Sequence, residues 1–282
     1  MSTEDLTRRD FVTITVAGLA VATAAEPSAQ GNVTEKTVDI KTPDGTCDAA
    51  FIHPATGAHA AVIIWPDAFG LRPSMRGLAR RLAAESGYSV LVPNPFYRVG
   101  KAPMWEDASK VDFNAERAKL GPLMGSINAA GAVEKDVPAF IAWLDQQPQV
   151  DKAKKIGTQG YCMGGALVVR TAATAPDRIG AGASFHGGGL VNQTPNSPHL
   201  LAPKIKARMY FGIAANDDMQ QPTAKTELKA AFDAAKVPVE VEVYPMAQHG
   251  WCVPDMPNNL YKKDDAERAW GKLVALYKAG LV

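Results

Sequence analysis

The chain has 282 residues, of which 46% are hydrophobic and 21% are charged, and its formal net charge at pH 7 is +1. This composition fits an ordinary globular protein that can bury a large core, and it excludes a disordered or fibrous chain. Because acidic and basic residues nearly balance, the sequence gives no argument for binding to nucleic acid or to an anionic membrane surface.

The first 31 residues predict an export signal followed by a linker. Arg8 and Arg9 are followed by the apolar residues 14–25, and small residues at positions 22–25 offer cleavage sites. This arrangement resembles a twin-arginine signal, and its apolar part is too short for stable insertion into a membrane. We therefore expect the export machinery to carry the protein to the periplasm; the alternative is a frayed helix at the start of a cytosolic protein.

The remaining residues, 32–282, predict one domain in which strands and helices alternate. Segments 33–40 and 48–53 are predicted to be antiparallel entry strands. Buried strands are predicted at 60–65, 88–93, 154–159, 179–185, 207–213 and 239–244, and helices at 71–86, 133–146, 163–175, 223–235 and 264–279. Residues 96–131 interrupt this order and are interpreted as an excursion over the sheet edge. The pattern predicts a single α/β domain with a doubly wound, mostly parallel sheet.

The segment around Cys162 predicts a sharp turn from a strand into a helix. Gly160 and Gly164 flank the cysteine at two residues on either side, which is the G-x-S-x-G nucleophile elbow with sulfur in place of oxygen. Glycine at both flanks avoids collision where strand and helix meet, and it leaves the thiol exposed above the sheet. The alternative is a buried, inert cysteine beside a tight turn.

Two further predicted strand ends carry residues that complete a catalytic triad. Asp217 and Asp218 follow the strand that ends near residue 213, and His249 follows the last strand. The order nucleophile, acid, histidine is that of the α/β-hydrolases. Either aspartate is a candidate for the acid, although Asp217 is nearer the strand end, and both could instead cap a helix.

The chemistry of these residue types defines a role for each. His249 would accept the thiol proton of Cys162, Asp217 would orient the imidazole, and attack on an ester carbonyl would give a thioester. Backbone amides of Met163 and Ala68 would stabilise the oxyanion. This chemistry requires neither a metal nor an organic cofactor.

These motifs together resemble the dienelactone hydrolases, or carboxymethylenebutenolidases, which are cysteine hydrolases with the α/β-hydrolase fold. The resemblance extends from about residue 33 to the C-terminus. It rests on Gly-Tyr-Cys-Met-Gly-Gly at 160–165, Asp-Ala-Phe-Gly at 67–70, Pro-Asn-Pro-Phe-Tyr-Arg at 93–98, and the acid and histidine segments. The resemblance implies hydrolysis of a small lactone or carboxylic ester, with or without a carboxylate group.

The resemblance also implies roles for residues around the nucleophile. Asp67 would hold the resting thiol in an unreactive orientation, and Arg98 would pair with a substrate carboxylate through its bidentate guanidinium. The family's second arginine is replaced by Val253, and Trp251 with Cys252 would make a more apolar pocket wall. His186 also follows a predicted strand, where it would face the pocket or, as we favour, bond to nearby backbone.

Two other functions remain open at this point. Cys162 could cycle through sulfenic acid in a thiol redox protein, although the sequence has no C-x-x-C pair. Alternatively, the chain could be a binding protein that retains only the fold. A bridge between Cys47 and Cys252 is conceivable in an oxidising compartment, since the odd number of cysteines leaves at least one thiol free.

Overall fold

The computed structural model describes residues 32–112 and 114–282, so the predicted export signal at 1–31 lies outside the described residues. Eight strands form one sheet in the order β1-β2-β4-β3-β5-β6-β7-β8. The strands are β1 (Val33–Thr42), β2 (Gly45–Pro54), β3 (Ala61–Trp65), β4 (Ser89–Pro93), β5 (Ile156–Tyr161), β6 (Ile179–Phe185), β7 (Arg208–Ala214) and β8 (Val239–Tyr244). Within the described part of the chain, no helix is long and apolar enough to cross a membrane.

The sheet is mostly parallel, as the sequence predicts. The β1–β2 hairpin is antiparallel, and β2 pairs antiparallel with β4, whereas β3 to β8 pair in parallel. β3 lies between β4 and β5, so the chain leaves it towards one side and later returns to the other. Such a switch point opens a crevice at the carboxyl ends of the strands, which is where ligands bind in doubly wound sheets.

The described part of the chain contains seven α-helices, most of which pack on the sheet. They are α1 (Pro73–Ser86), α2 (Arg117–Asn128), α3 (Ala132–Leu144), α4 (Met163–Thr174), α5 (Ala215–Gln220), α6 (Ala224–Ala234) and α7 (Lys263–Gly280). The core under α1 and α7 on one face includes Val62 and Ile64, and the core under α3, α4 and α6 on the other includes Ile63 and Trp65. Because alternate residues of β3 enter opposite cores, the whole strand is apolar.

Three local predictions differ from the structure. α1 begins at Pro73 rather than at residue 71, because proline is well suited to the first helical position and Arg72 is extended. The sequence of the excursion at 96–131 predicts helix-like pieces around residues 107–119, whereas α2 begins at Arg117 and continues past Pro122 to Asn128. Asp217 lies in the short helix α5, which begins directly after β7, rather than in a loop.

At the turn around Cys162, backbone atoms of the strand ends and of the start of α4 are in direct contact, with no side chain between them. Cys162 has φ 52° and ψ −115°, a left-handed conformation that costs free energy outside glycine. A Cβ on Gly160 would lie 2.2 Å from the carbonyl oxygen of Gly164, and one on Gly164 would lie 2.4 Å from that of Trp65. The start of α4 therefore lies directly against the ends of β5 and β3.

This packing predicts opposite effects of two glycine substitutions. Gly160→Ala should lower the free energy of unfolding by about 2–4 kcal/mol, because the obstructing atom is backbone and cannot rotate away. Gly77→Ala, inside α1 with no atom within 4 Å of its added Cβ, should raise it by about 0.5–1 kcal/mol through helix propensity. Urea unfolding of both variants measures this, and equal effects would contradict the packing argument.

Candidate active site

Cys162 lies between the end of β5 and the first residue of α4. Its side chain is partly exposed and its thiol is free, whereas Cys47 and Cys252 are free but buried. The conceivable bridge between Cys47 and Cys252 is therefore not formed. The strained backbone and the glycine packing hold the Cys162 side chain at the carboxyl edge of the sheet.

His249, in the loop after β8, and Asp217, in α5 directly after β7, are held together by hydrogen bonds. His249 Nδ1 lies 2.8 Å from Asp217 Oδ2 and 3.0 Å from Oδ1. The backbone N–H of His249 donates to Asn216 Oδ1 at 2.8 Å, and that of Ala215 donates to the carbonyl of Ala247 at 2.9 Å. These bonds align the two loops, so the carboxylate fixes both the orientation and the tautomer of the imidazole.

The electrostatics of His249 connect it to both partners. Burial acts to lower the pKa of His249, but hydrogen bonds to Asp217 and to Cys162, together with their negative charges, raise it to about 10. The imidazole therefore favours the protonated form at neutral pH when a thiolate lies beside it. The structure thus joins His249 to Asp217 by a hydrogen bond and places Cys162 close enough to His249 to raise its pKa.

The geometry distinguishes the two candidate acids. Asp218 directs its carboxylate away from the imidazole, and its Oδ2 accepts from Lys225 Nζ at 2.7 Å. Only Asp217 contacts His249. The sequence favoured Asp217 because it is nearer the end of the strand, and this preference agrees with its contact to His249.

Asp67 has a different partner from the one that the resemblance implied. Its carboxylate is buried and accepts two hydrogen bonds from Arg72, at 2.8 and 3.0 Å, and a third from the backbone N–H of Phe69. Cys162 is not among these partners. Because the bonds stabilise the turn after β3, they support a role for Asp67 in shaping the loop that carries Ala68 rather than in restraining the thiol.

Arg72 is a central residue that the sequence analysis did not single out. Its side chain is fully buried, and it also donates from Nε to Asp255 Oδ2 at 2.7 Å and from Nη2 to Asp255 Oδ1 at 2.8 Å. Arg72 therefore joins the loop after β3 to the segment that follows His249. The sequence gives no sign of this buried pairing. Arg72 directly precedes α1, which carries further arginines on its exposed face, so Arg72 looks like one more surface arginine.

Arg98 is engaged away from the triad. Its guanidinium donates to Asp136 at 2.7 and 2.9 Å and to Asp44 at 2.9 and 3.1 Å. These bonds connect the segment after β4 to α3 and to the β1–β2 turn. Because two protein carboxylates already bind the guanidinium, these contacts support a structural role for Arg98 rather than binding of a substrate carboxylate.

The apolar residues after His249 do not form an open pocket wall. Trp251 is fully buried, stacked on Tyr244 with ring centroids 4.8 Å apart, and in contact with His186. Cys252 lines a cavity of about 370 Å³ together with Tyr161 and residues of α1 and α7. Trp251 therefore packs under the loop that carries His249. Because its side chain is buried, it could contact a substrate only if the residues that cover it moved.

The backbone amides of Met163 and Ala68 are available as donors. Within the described part of the chain, neither N–H makes a hydrogen bond. The segment after β3 approaches the start of α4 so closely that a Cβ on Gly164 would lie 2.8 Å from the carbonyl oxygen of Pro66. Met163 directly follows Cys162 and Ala68 lies on the adjoining segment, so their free N–H groups are candidate donors to an oxyanion.

The described residues contain no group of three or more histidine, cysteine or acidic side chains arranged to hold a metal ion. Around Cys162, the residues offer a candidate nucleophile in Cys162, a candidate base in His249 and a candidate orienting acid in Asp217.

Comparisons with known proteins bear on the family of this chain. The model of the dienelactone hydrolase family matches residues 47–281. A carboxymethylenebutenolidase from Rhodococcus opacus is 28% identical over 231 residues, covering 79% of this chain and 85% of that protein.

Solved structures show the same fold. A putative dienelactone hydrolase from Klebsiella pneumoniae subsp. pneumoniae superposes with a TM-score of 0.70 and 21% identity, covering 88% of this chain and 99% of that one. A dienelactone hydrolase-like promiscuous phosphotriesterase from metagenomic libraries has a TM-score of 0.69 and 22% identity, covering 89% and 100%. The eight-stranded sheet is thus an α/β-hydrolase fold.

The contacts of the two aspartates predict different kinetic effects. Asp217→Asn should lower kcat for ester hydrolysis by about 100-fold or more, because the amide no longer supports the imidazolium or fixes its tautomer. Asp218→Asn is the matched control and should stay within about 3-fold of wild type, since only its bond to Lys225 changes. Steady-state hydrolysis of a p-nitrophenyl ester measures both, and the reverse ranking would exclude Asp217 as the acid.

Proposed function

The chain belongs to the dienelactone hydrolase family, whose members are hydrolases of lactones and esters, and we propose that it cleaves its substrate through a thioester on Cys162. The observation that carries this proposal is the placement of Cys162, His249 and Asp217 at the carboxyl ends of three parallel strands, where His249 Nδ1 bonds to Asp217 and both partners raise the pKa of His249. This is the arrangement of a thiol nucleophile with an adjacent base and an orienting acid.

Acylation begins with transfer of the thiol proton from Cys162 to His249. The sulfur then attacks the carbonyl carbon, and the carbonyl electron pair moves to oxygen as a tetrahedral oxyanion. The N–H groups of Met163 and Ala68 donate to this oxygen, where charge develops in the transition state. Collapse of the intermediate breaks the ester C–O bond, and His249 returns the proton to the departing oxygen.

Deacylation repeats these steps with water as the nucleophile. His249 removes a proton from water, hydroxide adds to the thioester carbonyl, and collapse breaks the C–S bond. The products are a carboxylic acid and the regenerated thiol. Asp217 stays ionised throughout and stabilises the imidazolium in both halves of the reaction.

The charges around the site bear on the class of substrate. The arginines of the loops after β3 and β4, Arg72 and Arg98, are both bound to protein carboxylates. Pairing of this kind leaves neither guanidinium free for a substrate anion, so we propose a lactone or small carboxylic ester for which a carboxylate group is not required.

We also propose that residues 1–31 direct export by the twin-arginine route, and that the mature protein works in the periplasm. The paired Arg8 and Arg9 before a short apolar run support this proposal. N-terminal sequencing of the periplasmic protein should find a new terminus near residues 22–26, and replacing both arginines by lysine should abolish export. Recovery of an intact Met1 from the soluble fractions would contradict the proposal.

The thioester predicts the effect of removing the nucleophile. Cys162→Ala should abolish hydrolysis of a p-nitrophenyl ester and of an enol lactone, because no other group forms the covalent intermediate. Cys252→Ala, which removes a buried thiol, is the control and should keep kcat within about 3-fold of wild type.

Mass spectrometry of wild-type protein mixed with a slow ester separates the alternatives. An acyl adduct on Cys162 supports hydrolysis through a thioester, an added oxygen indicates redox chemistry, and no adduct with no turnover indicates a binding protein. Retained turnover in Cys162→Ala would overturn the proposed mechanism.

A further inference from the structure

His186 occupies an unusual place directly after β6. Its side chain is fully buried, and its backbone has φ 41°, in the left-handed region where non-glycine residues are uncommon. Its own N–H donates to the carbonyl of Gly212 at 2.8 Å, so the conformation is fixed against the neighbouring strand β7. A strained, buried histidine beside a site calls for an account of what its ring does.

The segment that includes His186 holds the backbone of Cys162 on both sides. The N–H of Cys162 donates to the carbonyl of Phe185 and to His186 Nδ1, each at 3.1 Å. The carbonyl of Cys162 accepts from the N–H of Gly188, also at 3.1 Å. These bonds are made to the one residue of the elbow whose left-handed conformation is most strained.

The contact with the amide defines the tautomer of His186. A backbone amide can only donate, so Nδ1 must carry a lone pair and the ring proton must lie on Nε2. Burial, and next the charge of His249, lower the pKa of His186 well below its usual range, so the ring stays neutral. Nε2 has no hydrogen-bond partner within the described residues. A buried polar atom without a partner costs free energy, and a residue with only a packing role would not need to carry one.

The same ring lies against the base. The centroids of His186 and His249 are 4.9 Å apart at an interplanar angle of 60°, and Trp251 contacts His186 from another side at 5.1 Å. His186 thus touches the backbone of the nucleophile and the ring of its base at once. A shift of the Cys162 amide would change the distance between the thiol and the imidazole.

We propose that His186 is a positioning residue that, by accepting the N–H of Cys162, holds the thiol at a fixed place relative to His249. This inference rests on the proposed function, because it concerns the same nucleophile. It assigns no proton transfer to His186, whose acceptor atom is already occupied by the amide.

Two isosteric substitutions test the acceptor. His186→Asn keeps an acceptor two bonds from Cβ, as Nδ1 is in histidine, and asparagine tolerates the left-handed backbone. His186→Leu has nearly the same shape and offers no acceptor. Both variants lose the imidazole ring, so a difference between them reports the hydrogen bond to Cys162.

We expect His186→Leu to lower kcat by ~10-fold or more with KM changed less than ~2-fold, because a small displacement of a reacting atom acts on the chemical step. His186→Asn should stay within ~3-fold of wild type. The rate of alkylation of Cys162 by iodoacetamide should follow kcat in both variants. Urea unfolding, with kcat expressed per titrated thiol, separates a loss of folded protein from a loss of positioning.

The outcomes are distinct from those that test the thioester. Equal losses in the two variants, or no loss in either, would overturn the positioning role. If wild-type protein formed no acyl adduct on Cys162, the proposed function would fail, but the alkylation rates would still report whether His186 positions the thiol.

Discussion

The approach of backbone to backbone around Cys162 governs the geometry of the rest of the site. The start of α4 touches the ends of β5 and β3 with no side chain between them, and Gly165 packs as closely on Gly187 after β6. Three strand ends and one helix terminus therefore meet around the nucleophile. This contact places the free amides of Met163 and Ala68. It also allows the hydrogen bonds by which Phe185, His186 and Gly188 hold the backbone of Cys162.

The fold and the neighbouring placement of Asp217 and His249 could be predicted from the sequence because both depend on local or periodic signals. Continuous apolar runs marked strands with two covered faces, as β3 shows by contributing alternate residues to two cores. Glycine spacing marked the elbow, and residues just past strand ends marked Asp217 and His249, since parallel strands bring their carboxyl ends to one edge. Each inference needed only the chain order and the direction of the strands.

Charged partners could not be predicted in the same way, because pairing joins residues far apart in sequence. Arg72 and Asp255 are separated by most of the domain, and nothing in the local sequence distinguishes Arg72 from the exposed arginines of α1. Likewise, the resemblance implied that Asp67 and Arg98 face the thiol and the substrate, whereas both bind other charged side chains. His186 was predicted to bond to backbone, and its Nδ1 does accept from a backbone N–H, but the donor, that of Cys162, is 24 residues away in the sequence.

The buried Arg72 between Asp67 and Asp255 also constrains how this sequence can vary. Removing one member of a buried ion pair costs about 3–5 kcal/mol, whereas replacing the whole group by apolar residues of similar volume is often neutral or stabilising. A variant in which only one of these three residues is replaced is thus destabilised. A replacement without loss of stability needs simultaneous substitutions in two loops. The three residues form one epistatic unit, so substitutions at Asp67 and Asp255 are accessible to the family mainly in combination with substitutions at Arg72.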